Sequence, residues 1–392
     1  MKKNPALSLV RQIMMEFAEQ TGLSPVGRLP RRYLWTDAFA VCNFLELYRL
    51  TGDDSYKSLA LSLVDQVHET LGRYSEDDMR RGWISGLRPD QGRLHPTAGG
   101  LRIGKKMNER GPGEPYDEKM EWGRDGQYYH YLIKWMHALQ CVGKATSAEM
   151  YYRWAGELAK KVHAGFVFTS AMDDRRYIHW KMSIGLTRPL VPSMGLHDPL
   201  EGLIIYSQLQ AARSSAPETS SRLDLSHEIN ELAEICRGLS WETEDPLGIG
   251  GLLCNSLQVA HMMVRGSFAQ SSLLPALLDS ALLGLETYLK RNPLRLPASY
   301  RLPFREFGLS IGLHALARLK ALIEEEAGVF QESAALLARL DKLLHYRPVG
   351  EHIEKIWHEK TNREADTWLE HRAINMVMQA TSLMPDGFLQ VP

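Results

Sequence analysis

The segment from Glu121 to Tyr131 concentrates acidic, basic, aromatic and imidazole side chains that could take part in acid–base chemistry, and a mostly apolar stretch follows it. If the segment is helical from Asp125, then Asp125, Tyr128 and Tyr129 lie on one face, because residues three and four apart are neighbours on a helix. The spacing therefore predicts a polar, aromatic helix start that leads into a buried helix.

Other carboxylates occupy comparable positions, at or within one turn of a predicted helix start, and tryptophan accompanies three of those starts. The acids are Asp37, Asp125, Asp198, Glu201, Glu306, Asp366 and Glu370, and the tryptophans are Trp35, Trp122 and Trp368. Sugar rings offer apolar faces for aromatic stacking and hydroxyls for hydrogen bonds, so this mixture predicts a carbohydrate site. Helix capping is the alternative for any single acid, because free N–H groups and the helix dipole favour carboxylates there.

Cleavage of a glycosidic bond normally needs one protonated and one ionised carboxyl group. We expect Asp125 to be one of them, because nearby aromatic rings would desolvate it and raise its pKa, although Arg124 would oppose that shift. The candidates for the second are Asp37 and Asp198, followed by Glu201. His197 precedes Asp198 at a predicted helix start, for which a plain Asp-Pro start is the alternative interpretation.

The longest irregular segment, residues 82–122, is rich in Gly and Pro, and loops of this length are usually functional or disordered. Its basic residues Arg102, Lys105, Lys106 and Arg110 favour either an acidic or phosphorylated sugar or simply a solvated surface loop. Gly99 to Lys105 has the spacing of a nucleotide phosphate loop, but Lys106 replaces the required Ser or Thr and no strand precedes it.

Composition excludes several function classes. The net charge of -1 supplies no global field for nucleic acid or an anionic membrane. The four cysteines are far apart in apolar contexts without metal-ligand spacing, which indicates buried thiols in a reducing compartment. No signal peptide or membrane-spanning run is evident. We therefore expect a cytoplasmic protein of unknown oligomeric state that acts on a small molecule or oligosaccharide, with no metal, cofactor, nucleic acid or membrane.

Apolar periodicity predicts about twelve helices and almost no strands. Helices that are apolar on all sides alternate with helices that are charged on one face, which indicates an inner and an outer ring within one domain spanning residues 1–392. The segments lie near 6–21, 36–51, 54–73, 125–143, 147–166, 198–213, 222–239, 249–265, 270–290, 305–325, 329–345 and 366–383.

The stretch from Tyr33 to Tyr56 contains a Leu-Tyr-x-Leu-Thr-Gly-Asp-x-x-Tyr junction that resembles the helical hairpins of six-hairpin glycosidases. The resemblance implies an all-α (α/α)6 toroid whose site lies where the inner helices begin, with the 82–122 segment over it. Besides the four candidate catalytic carboxylates, it implies substrate-binding roles for Trp35, Trp122, Arg124, Tyr128, Tyr129, His130, His197, Arg305, Glu306, Trp368, Glu370 and His371.

Three functions remain open at this stage. The first is a glycoside hydrolase with paired carboxylates. The second follows from a resemblance to N-acylglucosamine 2-epimerase-like proteins, which share the barrel and approximate length; that resemblance implies proton transfer by inner-helix histidines, here His130, His137, His261, His314 and His371. The third is a helical toroid that binds a glycan or a partner without catalysis, since fold alone does not fix function.

Overall fold

Helices dominate the computed structural model, which describes residues 5–27, 30–215, 222–268, 270 and 272–392. The prediction of an all-α fold is confirmed. The chain divides into two compact units, one formed by residues 18–238 with Pro392 and the other by residues 1–17 and 239–391. They are called the 18–238 unit and the 239–391 unit.

Nine helices precede residue 239. They are α1 (Pro5–Gln20), α2 (Leu34–Thr51), α3 (Asp54–Leu71), α4 (Pro89–Leu94), α5 (Glu118–Gly123), α6 (Tyr129–Thr146), α7 (Glu149–Phe166), α8 (Asp198–Ser214) and α9 (Ser226–Cys236) among the described residues. The predicted junction between the second and third helices is confirmed: Gly52 ends α2 at a φ of 70°, and the Asp53 side chain caps α3 by accepting a hydrogen bond from the Ser55 N–H.

The rest of the described chain adds eight α-helices and three single turns of 3-10 helix. The α-helices are α10 (Pro246–Val264), α11 (Leu273–Lys290), α12 (Pro303–Glu325), α13 (Ser333–Leu344), α14 (Arg347–His358), α15 (Asp366–Leu369), α16 (Arg372–Leu383) and α17 (Asp386–Leu389); the 3-10 turns are Pro293–Arg295, Ala298–Tyr300 and Asn362–Glu364. The prediction missed α14 and joined α15 to α16, which are separated at Glu370 and His371.

The predicted alternation of buried and amphipathic helices is present in both units. Buried side chains surround α2, α8 and α10 on nearly all sides, whereas α3, α7, α9 and α13 bury only one face. Consecutive helices pack in pairs, α2 with α3, α6 with α7, α8 with α9, and α10 with α11. This pairing is the helical-hairpin arrangement that the sequence predicts.

Among the described residues of the 18–238 unit are five short strands that the sequence did not reveal. Segments of two or three residues are too short to show the alternation that identifies a strand. They are β1 (Gln127–Tyr128), β2 (Val167–Thr169), β3 (Arg176–Ile178), β4 (Lys181–Met182) and β5 (Pro189–Val191). The strands β1, β4 and β5 form one antiparallel sheet, in which Gln127 lies opposite Met182, and β2 pairs with β3.

The predicted helix start at Asp125 is wrong, because α6 begins only at Tyr129 and β1 precedes it. Asp125, Tyr128 and Tyr129 therefore do not share a helical face. Gly126 adopts a φ of 150°, and a Cβ there would lie 2.8 Å from the Met182 carbonyl oxygen. The sheet replaces the first helical turn because β1 pairs with β4 at this point.

One helix, α10, meets the length and hydropathy criteria for a membrane span, with a mean hydropathy of 1.3 in its most apolar window. However, 67% of that window is buried inside the protein, where α10 packs against α12. Core helices pass the same criteria, so the observation is weak support for a membrane segment.

Candidate functional site

Six aromatic side chains of the 18–238 unit make a continuous series of ring contacts, the aromatic wall. Its members are Tyr33, Trp35, Trp122, Tyr128, Tyr131 and Trp180. Ring centroids are 5.1 Å apart for Trp122 and Trp180, and 5.1 Å apart for Tyr128 and Tyr131. Trp122 is 45% exposed, so part of the wall is open to solvent. Exposed aromatic faces of this kind suit the apolar faces of sugar rings.

His130 lies in the first turn of α6, beside the aromatic wall, and hydrogen bonds hold both of its ring nitrogens. Nδ1 is 2.8 Å from Glu201 Oε2, and the Trp35 indole N–H donates to Nε2 over 3.1 Å. Because the indole can only donate, Nε2 must carry the lone pair and Nδ1 the proton in this arrangement. The Lys134 ammonium donates to Glu201 Oε1 over 2.9 Å, so one carboxylate orients both the imidazole and the ammonium group.

The two acids at the start of α8 have pKa values displaced in opposite directions. Burial disfavours the ionised form of Glu201, but the charges and hydrogen bonds of Lys134 and His130 outweigh burial and hold its pKa below the usual range. Burial raises the pKa of Asp198 to about 7; the charge of His130 opposes this shift, and the negative charge of Glu201 adds to it. Such a divergence is typical of carboxyl groups that divide acid and base roles.

Asp198 also differs from the other buried acids in its hydrogen bonds. Its Oδ2 atom is buried and accepts no hydrogen bond from the residues that the structure describes. A buried polar atom without a partner is costly and calls for an explanation such as a ligand or a catalytic role. Among the buried acids described in this unit, Asp198 is therefore the one with an oxygen left for a ligand.

Asp125 does not fit the predicted role of a poised catalytic acid. It forms a buried ion pair with Arg102, and its other oxygen accepts hydrogen bonds of 3.0 Å from the N–H groups of Gly104 and Gly126. Arg102 in turn donates to the carbonyls of Thr70 and Arg73 at the end of α3. Both oxygens of Asp125 thus fasten the 99–107 segment to the body of the unit.

Asp37 is likewise committed to internal contacts. One oxygen pairs with Arg32 at 3.4 Å and the other accepts the Tyr33 N–H at 2.9 Å, at the start of α2. Burial raises the pKa of Asp37 to about 6 against the opposing charge of Arg32. These contacts match the capping interpretation of the sequence rather than a role in catalysis.

Most of the basic residues predicted to bind an anionic sugar instead contact other side chains of the protein. Arg102 holds Asp125, and Arg110 pairs with Glu121 at 3.0 Å. Lys106 is exposed. Lys105 is half-buried, with its ammonium 5.1 Å from the centroid of the Tyr33 ring, and burial lowers its pKa. Lys105 is thus the one member of this basic run that contacts the aromatic wall among the described residues.

The remaining predicted substrate-binding residues have varied environments. In the 18–238 unit, Arg124 pairs with the exposed Glu114, Tyr129 is fully buried against Phe166, and His197 is partly buried just before α8. In the 239–391 unit, two of them form ion pairs, Arg305 with Asp245 and Glu306 with Arg301. Two others make ring contacts: Trp368 stacks on Trp357, and His371 meets Phe304 edge to face. Glu370 is exposed. Only the first group belongs to the unit of the aromatic wall.

Sequence reasoning missed several residues of the site. Lys134, Tyr131 and Trp180 contact the candidates directly but were not selected. The i, i+4 spacing of His130 and Lys134 was a usable signal, because it places both on one helical face. Trp180 lies in a loop that only the β1–β4 pairing brings near Trp122, so no local pattern marked it.

Among the histidines considered for proton transfer, only His130 lies beside the aromatic wall. His137 is buried deeper in α6, and His261 lies on α10. His314 forms a second imidazole–carboxylate pair, in the 239–391 unit, with its Nε2 2.8 Å from Glu354 Oε1. That carboxylate oxygen also accepts the hydroxyls of Ser310 and Ser382.

Comparison with known proteins gives neighbours in structure alone. No family model and no curated protein matches the chain. A cellobiose 2-epimerase from Spirochaeta thermophila DSM 6192 is 12% identical, with a TM-score of 0.49 over 97% of this chain and 98% of that one. A sugar epimerase from a ruminal bacterium is 10% identical, with a TM-score of 0.49 over 95% and 97% of the two chains.

A D-mannose isomerase is a further structure of this kind, 10% identical with a TM-score of 0.47 and 98% of both chains covered. At identities of 10–12% and TM-scores below 0.5, these likenesses do not decide the function of the chain.

Proposed function

We propose that the protein is a carbohydrate-active enzyme that transfers a proton at the carbon beside a sugar carbonyl, as an aldose–ketose isomerase or a 2-epimerase. The observation that carries the proposal is the partly exposed His130, oriented by Glu201 at the aromatic wall. The wall supplies stacking surfaces for a small sugar. The reaction class is also the one in the names of the compared structures, but the proposal rests on the site.

His130 has the properties of a general base. Nε2 carries the lone pair, and Nδ1 donates its proton to Glu201, which fixes the tautomer. When Nε2 takes a proton from the substrate, the ionised Glu201 stabilises the resulting imidazolium. The substrate must replace the Trp35 indole as the partner of Nε2, and the ring is accessible enough for this because 26% of its side chain is exposed.

Asp198 supplies the complementary acid. With a pKa of about 7 it is partly protonated at neutral pH, and its Oδ2 atom is not occupied by another described residue. Proton abstraction beside a carbonyl places negative charge on the carbonyl oxygen, and a protonated carboxyl group can donate a hydrogen bond or a proton to it. His130 and Asp198 thus divide the base and acid roles.

Glycoside hydrolysis is the second candidate, favoured by the opposite pKa displacements of Asp198 and Glu201. Hydrolysis requires a carboxylate free to activate water or attack the sugar. Both oxygens of Glu201 are instead held by His130 and Lys134. The oxygens of Asp125 and Asp37 are held by neighbouring donors as well. The geometry therefore favours proton transfer.

Hydrogen exchange at carbon tests the proposal. Aldohexoses, ketohexoses, N-acetylhexosamines and reducing disaccharides are incubated with the protein in D₂O and followed by NMR. We expect at least one sugar to gain deuterium at C1 or C2 and to convert to its isomer or epimer. Replacing His130→Gln should slow the exchange by about 10²-fold or more, because a general base contributes about that much.

A matched control is His227→Gln, because His227 is an exposed histidine of α9 that pairs only with Glu231. It should exchange at the wild-type rate. Release of monosaccharides from glycosides without deuterium at carbon would support hydrolysis and overturn the proposal. If neither reaction occurs with any sugar of the panel, the proposal is also overturned, and glycan or partner binding without catalysis is the remaining function.

A further inference from the structure

Two cysteines and a histidine meet inside the 18–238 unit, away from the aromatic wall. They are Cys42 on α2 and His137 and Cys141 on α6, and their sulfur and nitrogen atoms all lie within 4.8 Å of one another. His137 Nε2 and Cys141 Sγ are 3.6 Å apart. The cluster could not be predicted from the sequence, because Cys42 is far from the other two residues along the chain.

The helix geometry explains why the three side chains converge. His137 and Cys141 are separated by one helical turn, a spacing that lets two side chains of one helix bind the same ion. Cys42 follows Trp35 by seven residues, and His137 follows His130 by seven, so each pair lies two turns apart on one helix face. The α2–α6 interface that joins Trp35 to His130 therefore also brings Cys42 to His137, about 10 Å deeper.

We infer that Cys42, His137 and Cys141 form a zinc-binding site that clamps α2 to α6. Thiolates and imidazole are the preferred ligands of Zn²⁺, and two Cys with one His bind zinc where a water molecule or another small ligand takes the fourth position. Around one tetrahedral ion, the sulfur and nitrogen atoms of this set lie about 3.5 to 3.8 Å apart, given Zn–S and Zn–N bonds of about 2.3 and 2.0 Å. The observed limit of 4.8 Å therefore requires movements of about 1 Å or less.

Burial and charge also fit a zinc ion. The three residues are at most 2% exposed, and one Zn²⁺ would neutralise two thiolates, leaving no net charge in the core. Because the site is closed to solvent, the ion would enter as the unit folds.

Metal content tests the inference directly. The full-length protein is expressed and purified in zinc-supplemented medium without chelators, and its zinc is measured by mass spectrometry. We expect about one zinc per chain in the wild type and in Cys236→Ala, a control that removes a buried thiol outside the cluster. Cys42→Ala and Cys141→Ala should each lose at least about tenfold in bound zinc.

Two further measurements separate loss of a ligand from loss of folding. Refolding the wild type with Co²⁺ should produce thiolate-to-cobalt charge-transfer absorption, which Cys236→Ala retains and Cys42→Ala lacks. His137→Cys, which keeps a zinc ligand set, should retain zinc, whereas His137→Ala should lose it. A folded wild type without zinc or cobalt would overturn the inference, whether its two thiols were free or joined as a disulfide.

Discussion

Asp125 and Asp198 are both buried aspartates, yet their surroundings give them different roles. Asp125 contacts a guanidinium and two backbone N–H groups, and these donors engage both of its oxygens. Burial raises the pKa of Asp198, which favours its protonated form, and one of its oxygens has no hydrogen-bond partner among the described residues. A residue's type and position at a helix start therefore do not determine its role; the donors around it do.

Replacing Asp125→Asn should destabilise the protein rather than only abolish turnover. The substitution leaves the buried Arg102 guanidinium without its counter-charge, and such a change costs about 3–5 kcal/mol. Urea denaturation followed by circular dichroism measures the loss. Asp77→Asn, at an exposed aspartate in the same unit, should change the free energy of unfolding by no more than about 0.5 kcal/mol. An unchanged unfolding midpoint in Asp125→Asn would show that Asp125 is not needed for stability, and Asp125 would again be a candidate catalytic residue.

At the scale of elements, the closest described helix pairing is that of α10 with α12 in the 239–391 unit, where glycines replace side chains at the contact. A Cβ on Gly250 would overlap the carbonyl group of Gly308, and a Cβ on Gly312 would lie 2.6 Å from the Gly250 Cα. Backbone atoms cannot rotate away as a side chain can. The small residues of these helices, noted in the sequence as apolar on all sides, are therefore required by close packing.

Gly250→Ala should lower stability although alanine favours helix by about 1 kcal/mol over glycine. The added methyl group forces α10 away from α12, and overpacking of this kind costs about 1–3 kcal/mol, at the upper end where backbone must move. Thermal unfolding followed at the helical signal measures the net change. In the same unit, Gly328→Ala meets nothing within 4 Å and should leave the midpoint within about 1 °C. A raised midpoint in Gly250→Ala would show that propensity outweighs packing here.

At the scale of the whole molecule, much of the helical architecture could be predicted from the sequence, because long periodic segments with glycine or aspartate at their ends carry that information locally. The start of α6 could not be predicted, since β1 exists only through its pairing with β4, more than fifty residues later. The same holds for the candidate site, where the sequence indicated individual residues but not the contacts between them. His130 and Glu201 were among the candidates, but their hydrogen bond depends on how α6 and α8 pack and had no signal in the sequence.

Burial of Asp198 should make the stability of the whole molecule depend on pH. Its pKa is about 7 in the folded protein and near 4 in an unfolded chain, so between these values the unfolded state releases a proton that the folded state keeps. This contribution to stability is complete below about pH 4 and is lost progressively as pH rises to about 7.

Asp198→Asn removes the titrating group but keeps the size of the side chain. Denaturation at a series of pH values should show the variant gaining on the wild type by at most about 4 kcal/mol between pH 4 and 7, and no further above pH 8. Glu201 titrates in both proteins and so cancels in the comparison. A difference that does not change with pH would mean that Asp198 is ionised in the folded protein, and the acid role proposed for it would fail with that result.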